Sequence, residues 1–263
     1  MKMTLVIIAA FSLSFGVTLS GCSSTPSNRG EAPAAKRTTS EISDLYTEMG
    51  TAALVSDDLP RAMENLRIAL KYNSDNHIAH NHLGLALLGL GKRDDAKASF
   101  ERAVSIKQDY SDAYVNLGTW YFAKSDNDTA KHYYDKALEN LEYKGRYRAF
   151  TSLGQIAMTK GKADEARKLF YQALSENPSY CLAHLLLGSL YLRDGNTERA
   201  AGEFKSSIKG TCANNIEGQY QLGLAYTKLK EFKKARVQFH QIQDQFPNTS
   251  LAEEAGQQLR ALP

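Results

Sequence analysis

The sequence repeats itself every thirty-four residues, and that period constrains the fold more than any other feature of the chain. With His77 as position 1, Leu83 and Gly84 stand at positions 7 and 8, Leu87 at 11, Ala96 at 20, Phe100 at 24 and Ala103 at 27. One period later the same places hold Leu117, Gly118, Tyr121, Ala130, Tyr134 and Ala137. Positions 4, 7, 8 and 11 share one face of a helix, and 20, 24 and 27 share one face of a second. Small residues at 8 and 20 let the two helices approach, and a large residue at 24 fills the space that remains. A helical hairpin of this size cannot bury its apolar face alone, so each needs a neighbour and the chain must stack them into a solenoid.

Six tiles are predicted, at 43–76, 77–110, 111–144, 147–180, 181–214 and 216–249. Gly145 and Arg146 interrupt the register after the third, and Asn215 interrupts it after the fifth. Ser207 is a weak fit at position 27 of the fifth tile, where the others carry alanine or isoleucine. Pro178 and Pro247 follow the second helices of tiles four and six and stop them. Ser250 to Glu253 reads as a capping box, and residues 250–263, few in large apolar side chains, read as a capping helix. The marked positions resemble the tetratricopeptide repeat (TPR) family. That resemblance implies an all-α, right-handed superhelix of six repeats plus a capping helix, with the first helices lining a concave binding face.

At the N-terminus Lys2 precedes an apolar run from Leu5 to Val17, too short to span a membrane comfortably, and small residues follow. This reads as a signal peptide over 1–21. Its ending, Leu19-Ser20-Gly21-Cys22, is similar to the bacterial lipobox, which implies diacylglyceryl and N-acyl lipid on Cys22. Two or more acyl chains hold a protein stably where one does so only marginally. Ser23 rather than Asp follows the cysteine, which by the same resemblance directs the protein to the periplasmic face of the outer membrane. Residues 22–42, rich in Ser, Thr, Ala and Pro, are expected to form a disordered tether reaching roughly 25 Å.

In an oxidising periplasm the two remaining cysteines acquire a meaning. Cys181 and Cys212 occupy positions 1 and 32 of tile five, at the edge where the first helix leaves and the second returns. A disulfide is expected there. No catalytic motif is found: the sequence has no phosphate-binding loop, no Gly-x-Ser-x-Gly elbow and no His-Glu-x-x-His. His77, His80 and His82 are close in sequence, but His80 stands at position 4, as does His184 in tile five, so these rings read as packing rather than metal ligands. No enzymatic role, metal or cofactor other than the lipid is expected. The net charge of +3 lacks the concentrated basic excess of a nucleic-acid binder, and no small-molecule site is expected.

In TPR proteins positions 2, 5, 9 and 12 commonly face the groove. Here those positions hold Ile78, Asn81, Leu85 and Leu88 in tile two and Asp112, Val115, Thr119 and Phe122 in tile three. They hold Arg148, Thr151, Gln155 and Met158 in tile four and Leu182, Leu185, Ser189 and Leu192 in tile five, and the candidates for partner binding among them are Ile78, Asn81, Leu85, Leu88, Val115, Thr119, Phe122 and Gln155. The apolar members either await an apolar or amphipathic peptide or pack between tiles. Thr47, Asn81 and Leu85 stand where chaperone-tail-binding TPR proteins carry their charged clamp, which argues against that partner class. A lipobox, a short tether and six TPR tiles together resemble the type IV pilus biogenesis and stability lipoproteins, the pilotins of the PilF/PilW type. That resemblance implies a scaffold that helps the pilus secretin subunit reach the outer membrane and multimerise. A TPR lipoprotein of β-barrel assembly, or an adaptor for periplasmic proteases or cell-wall enzymes, shares the same parts.

Overall fold

The structure, a computed structural model, describes residues 37–263. Cys22 and most of the expected tether lie outside the described residues. Thirteen α-helices and one short 3-10 helix follow one another, and no strand occurs among the described residues. They form six hairpins: α1 (Thr39–Val55) with α2 (Leu59–Tyr72), α3 (His77–Gly89) with α4 (Arg93–Ile106), α5 (Ser111–Ala123) with α6 (Asn127–Glu139), α7 (Arg146–Thr159) with α8 (Ala163–Glu176), α9 (Cys181–Arg193) with α10 (Thr197–Ser206), and α11 (Ile216–Lys228) with α12 (Phe232–Gln245). A last helix, α13 (Ser250–Ala261), closes the series. Each helix packs chiefly on its sequence neighbours and, more lightly, on the helix two places along, the arrangement of a TPR superhelix.

The repeated marks explain that packing. The alanines at position 20, from Ala62 through Ala96, Ala130, Ala166 and Ala200 to Ala235, are completely buried. The glycine at position 8 lies under the large side chain at position 24 in every repeat. A Cβ on Gly84 would meet Phe100 Cε1 at 2.4 Å, one on Gly118 Tyr134 Cε1 at 2.6 Å, and one on Gly154 Phe170 Cε1 at 2.5 Å. The first helix of each hairpin therefore meets the large side chain of the second through bare backbone, and a Cβ there would force that side chain to shift.

Each hairpin turns on one residue at position 15 in the left-handed region. Gly91, Gly161 and Gly195 take that place in three repeats, with φ of 74°, 73° and 80°. Asp57, Ser125 and Lys230 take it in the others, at 58°, 63° and 59°, a conformation that favours glycine. Side-chain caps also join repeats. Asn76, the last residue of the first repeat, caps α3 of the second by accepting from Ala79 N at 3.0 Å, while its Nδ2 donates to Ser43 Oγ at 3.0 Å and Thr47 Oγ1 at 3.1 Å on α1.

The structure departs from the sequence expectations at three termini. Residues 39–42, expected to belong to the tether, are helical instead, because Thr38 and Glu41 form a reciprocal capping box that starts α1 at Thr39. Helix α13 is capped by Thr249, whose Oγ1 accepts from Ala252 N at 3.2 Å, and not by the box expected from Ser250 and Glu253. Position 27 of the fifth repeat is also distinctive. Ser207 is buried, its Oγ donates to Phe204 O at 2.8 Å and Asn215 Nδ2 donates to Ser207 O at 2.9 Å, so side chains consume the carbonyls of the last turn. Helix α10 ends early, Gly210 turns at φ 57°, and a 3-10 helix, Gly210–Cys212, follows.

That 3-10 turn carries Cys212 to the start of α9, where a disulfide joins it to Cys181 with Cα atoms 5.7 Å apart. Closing a loop of 31 residues stabilises the folded chain by about 3.7 kcal/mol in the chain-entropy account.

Candidate protein-binding surface

The residues nominated for the groove separate into two sets. Ile78 is 40% exposed, Thr119 is exposed and Gln155 is half-buried, so these reach the surface. Leu85 and Leu88 are half-buried against Leu87, Phe100 and Leu117, and Phe122 lies in the same state against Val115, Tyr134 and Leu153. Asn81 and Val115, each 2% exposed, are not available to a partner. Position 5 points into the seam between successive first helices, where Thr47 and Thr151 are also buried. Val115 fills that seam with apolar surface. Asn81 fills it with a hydrogen bond, accepting from Asn116 Nδ2 at 2.8 Å.

That bond is one rung of a polar ladder across repeats two to four. Arg148 Nη2 donates to Asn116 Oδ1 at 3.1 Å and its Nη1 to Asp112 Oδ1 at 3.0 Å. Tyr143 OH donates to the same Asp112 oxygen at 2.8 Å. Burial pushes the Tyr143 hydroxyl well above the ordinary tyrosine range, and burial followed by the Asp112 charge pushes Tyr110 up to about 12. Both phenols stay protonated, and Tyr143 uses its proton on Asp112. Beside the ladder opens a cleft of about 440 Å³, lined by Tyr110, Asp112, Tyr143, Lys144, Tyr147 and Arg148. Opposite charges at position 2 of adjacent tiles, Asp112 and Arg148, are the sequence signal for this ladder.

The histidines behave as packing groups in three separate settings. His77 meets Tyr110 edge to face at 4.7 Å, His80 Nε2 lies 2.9 Å from Ser74 O, and His82 Nδ1 lies 2.7 Å from Thr51 Oγ1. Among the described residues no group of three or more His, Cys, Asp or Glu is arranged to hold a metal ion.

His184 differs. Its Nδ1 lies 2.7 Å from Glu203 Oε2 and its Nε2 lies 3.0 Å from Pro178 O, so both ring nitrogens face acceptors and the imidazolium is favoured. The hydrogen bond to Glu203 raises its pKa above the ordinary 6.5, while burial and Lys209 oppose the shift. His184 therefore adds stability that is complete below pH 6.5 and disappears as pH rises through its higher folded value. His77, His80 and His82 have the opposite sign, because burial lowers their pKa and the fold loses stability as acid protonates them. Urea midpoints measured from pH 5 to 9 should show His184→Gln less stable than the parent at the acid end and converging with it above neutrality. A constant difference across that range would refute the ion pair.

Stacked helical hairpins with a ladder of side chains along one wall define a helical-repeat scaffold. The sequence profile described as Tetratricopeptide repeat matches residues 47–114, 83–143, 115–181 and 151–215, and a second profile of that description matches 217–249. The chain belongs to the tetratricopeptide repeat family. Among curated proteins it is similar to DnaJ homolog subfamily C member 3 of Gallus gallus, 24% identical over 201 residues, covering 69% of this chain and 38% of that protein. It is also similar to the RNA polymerase-associated protein CTR9 of Caenorhabditis elegans, 25% identical, covering 72% of this chain and 17% of that one. The chain thus spans well under half the length of these two relatives.

Two solved structures match nearly end to end. PilF of Pseudomonas aeruginosa superposes with a TM-score of 0.69 at 18% identity, covering 84% of this chain and 99% of that one. PilW, described as a widely conserved type IV pilus biogenesis factor, superposes with a TM-score of 0.68 at 21% identity, covering 81% of this chain and 98% of that one. At these identities the likeness shows the fold.

Proposed function

We propose that this chain is a lipid-anchored scaffold of type IV pilus biogenesis, held at the periplasmic face of the outer membrane, whose TPR array binds a segment of the pilus secretin subunit and aids its localisation and multimerisation. The observation that carries the reading is the extent of the structural match. The array spans 99% of PilF and 98% of PilW, so the match extends over nearly the whole of both folds. The Leu19-Ser20-Gly21-Cys22 ending supports the anchor. In the groove Ile78, Thr119 and Gln155 offer open surface, and the half-buried edges of Leu85, Leu88 and Phe122 give it apolar character.

Deleting the gene should abolish surface pili and leave the secretin as monomers, read by pilus shearing and by blotting for heat-resistant multimers. Normal pili together with normal multimers would sink the reading. Within the groove, Ile78→Glu with Gln155→Lys should weaken secretin binding at least ten-fold without moving the melting temperature, because both side chains already meet solvent. Unchanged affinity would move the binding face elsewhere.

A further inference from the structure

In the interior of the array, position 3 of each first helix is covered by the second helix of the repeat before it. Ala79, Ala113, Ala149 and Ala183 occupy that position and are completely buried. In α1 the equivalent residue is Leu45, 36% exposed, and position 7 is Met49, 39% exposed. Half-buried Ile42 and exposed Ala52 extend the same stripe at helical spacing, so one apolar face of α1 has no helix against it among the described residues. Solenoid ends ordinarily present a polar outer face. This one does not.

The flanks of the stripe are equally one-sided. Glu41, Asp44 and Glu48 run along one edge, all exposed and in no ion pair among the described residues, and α1 contains no lysine or arginine. On the other edge Tyr46 stacks on Tyr72 at 6.1 Å and 6°, and Tyr72 is 45% exposed. We propose that this edge is a docking site for an amphipathic helix with basic flanks, supplied by another protein and seated as the second helix of a preceding repeat would be. Leu45 replaces the alanine of interior repeats, so the docked helix presents a small residue opposite it.

Two occupants from the same chain fit poorly. Residues 23–36, Ser-Ser-Thr-Pro-Ser-Asn-Arg-Gly-Glu-Ala-Pro-Ala-Ala-Lys, contain no large apolar side chain to fill the stripe. A second copy laid edge to edge would bring two sets of Glu41, Asp44 and Glu48 together, and like charges repel. The site lies on the end of the array and does not depend on what the concave groove binds.

The test uses the full chain made soluble by Cys22→Ser and two synthetic fourteen-residue helical peptides. Both peptides share one leucine-alanine stripe, with flanks of lysine in one and glutamate in the other. The lysine peptide should shift the amide resonances of α1, bind at least ten-fold more tightly than the glutamate peptide, and lose at least ten-fold in affinity to Leu45→Ser with Met49→Ser. Both residues are partly exposed, and circular dichroism verifies that the variant remains folded. Equal binding of the two peptides, shifts confined to the concave helices, or no binding would overturn the proposal. Self-association abolished by the double variant would overturn it in favour of a second copy, and α1-dependent binding to phosphatidylcholine vesicles in favour of a lipid surface.

Discussion

Phe170→Ala is expected to cost the array about 3–5 kcal/mol, the usual range for emptying a buried aromatic site. The ring is completely buried and lies over the backbone of Gly154, with a Cβ there only 2.5 Å from Cε1. The reverse substitution reports on the same contact. In an exposed helix Gly→Ala gains about 1 kcal/mol of helix propensity. At position 154 that gain is opposed by overpacking of about 1–3 kcal/mol, so Gly154→Ala should be destabilising. The double variant supplies the new methyl with the space that the ring vacates, so its loss should fall short of the sum of the two single losses. Urea denaturation of the four proteins measures the coupling, and strict additivity would show that the glycine and the ring do not constrain each other.

The second large effect lies outside the described residues. Cys22→Ser should transfer the protein from the membrane fraction to the soluble periplasm, read by blotting after fractionation. Each acyl chain contributes about 0.8 kcal/mol per buried methylene, so losing every chain removes all of that attachment. No described helix is long and apolar enough to cross a membrane. Unchanged membrane association of the variant would show that the anchor is something other than a lipidated cysteine.

The period made the core legible because the residues that set it have one role in every repeat. Gly154 under Phe170, with Ala166 and Ala173 completely buried beside it, could be read directly from spacing. The groove was less legible because its residues have two available surroundings. Position 5 was assigned to the open face, but it lies in the seam between successive first helices, which buries Val115 and Asn81 while Ile78 at position 2 stays outside. The Asn81–Asn116–Arg148 ladder depends on contacts between residues more than thirty apart, which a tile read by itself does not contain. The early end of α10 escaped for a related reason. Ser207 looked like a weak core residue, but its hydroxyl and the Asn215 amide take the carbonyls that another turn of helix would need.

The bond between Cys181 and Cys212 also sets how far the molecule can be drawn out. A solenoid pulled along its length can unravel hairpin by hairpin, because each hairpin relies mainly on its neighbours. The covalent loop of 31 residues cannot pay out its slack. At about 3.4 Å per extended residue, the stretched chain stops roughly 100 Å short of its contour length until a reductant cuts the link. In a single-molecule trace the fifth repeat would register as missing length, recovered in one step when the thiols are freed.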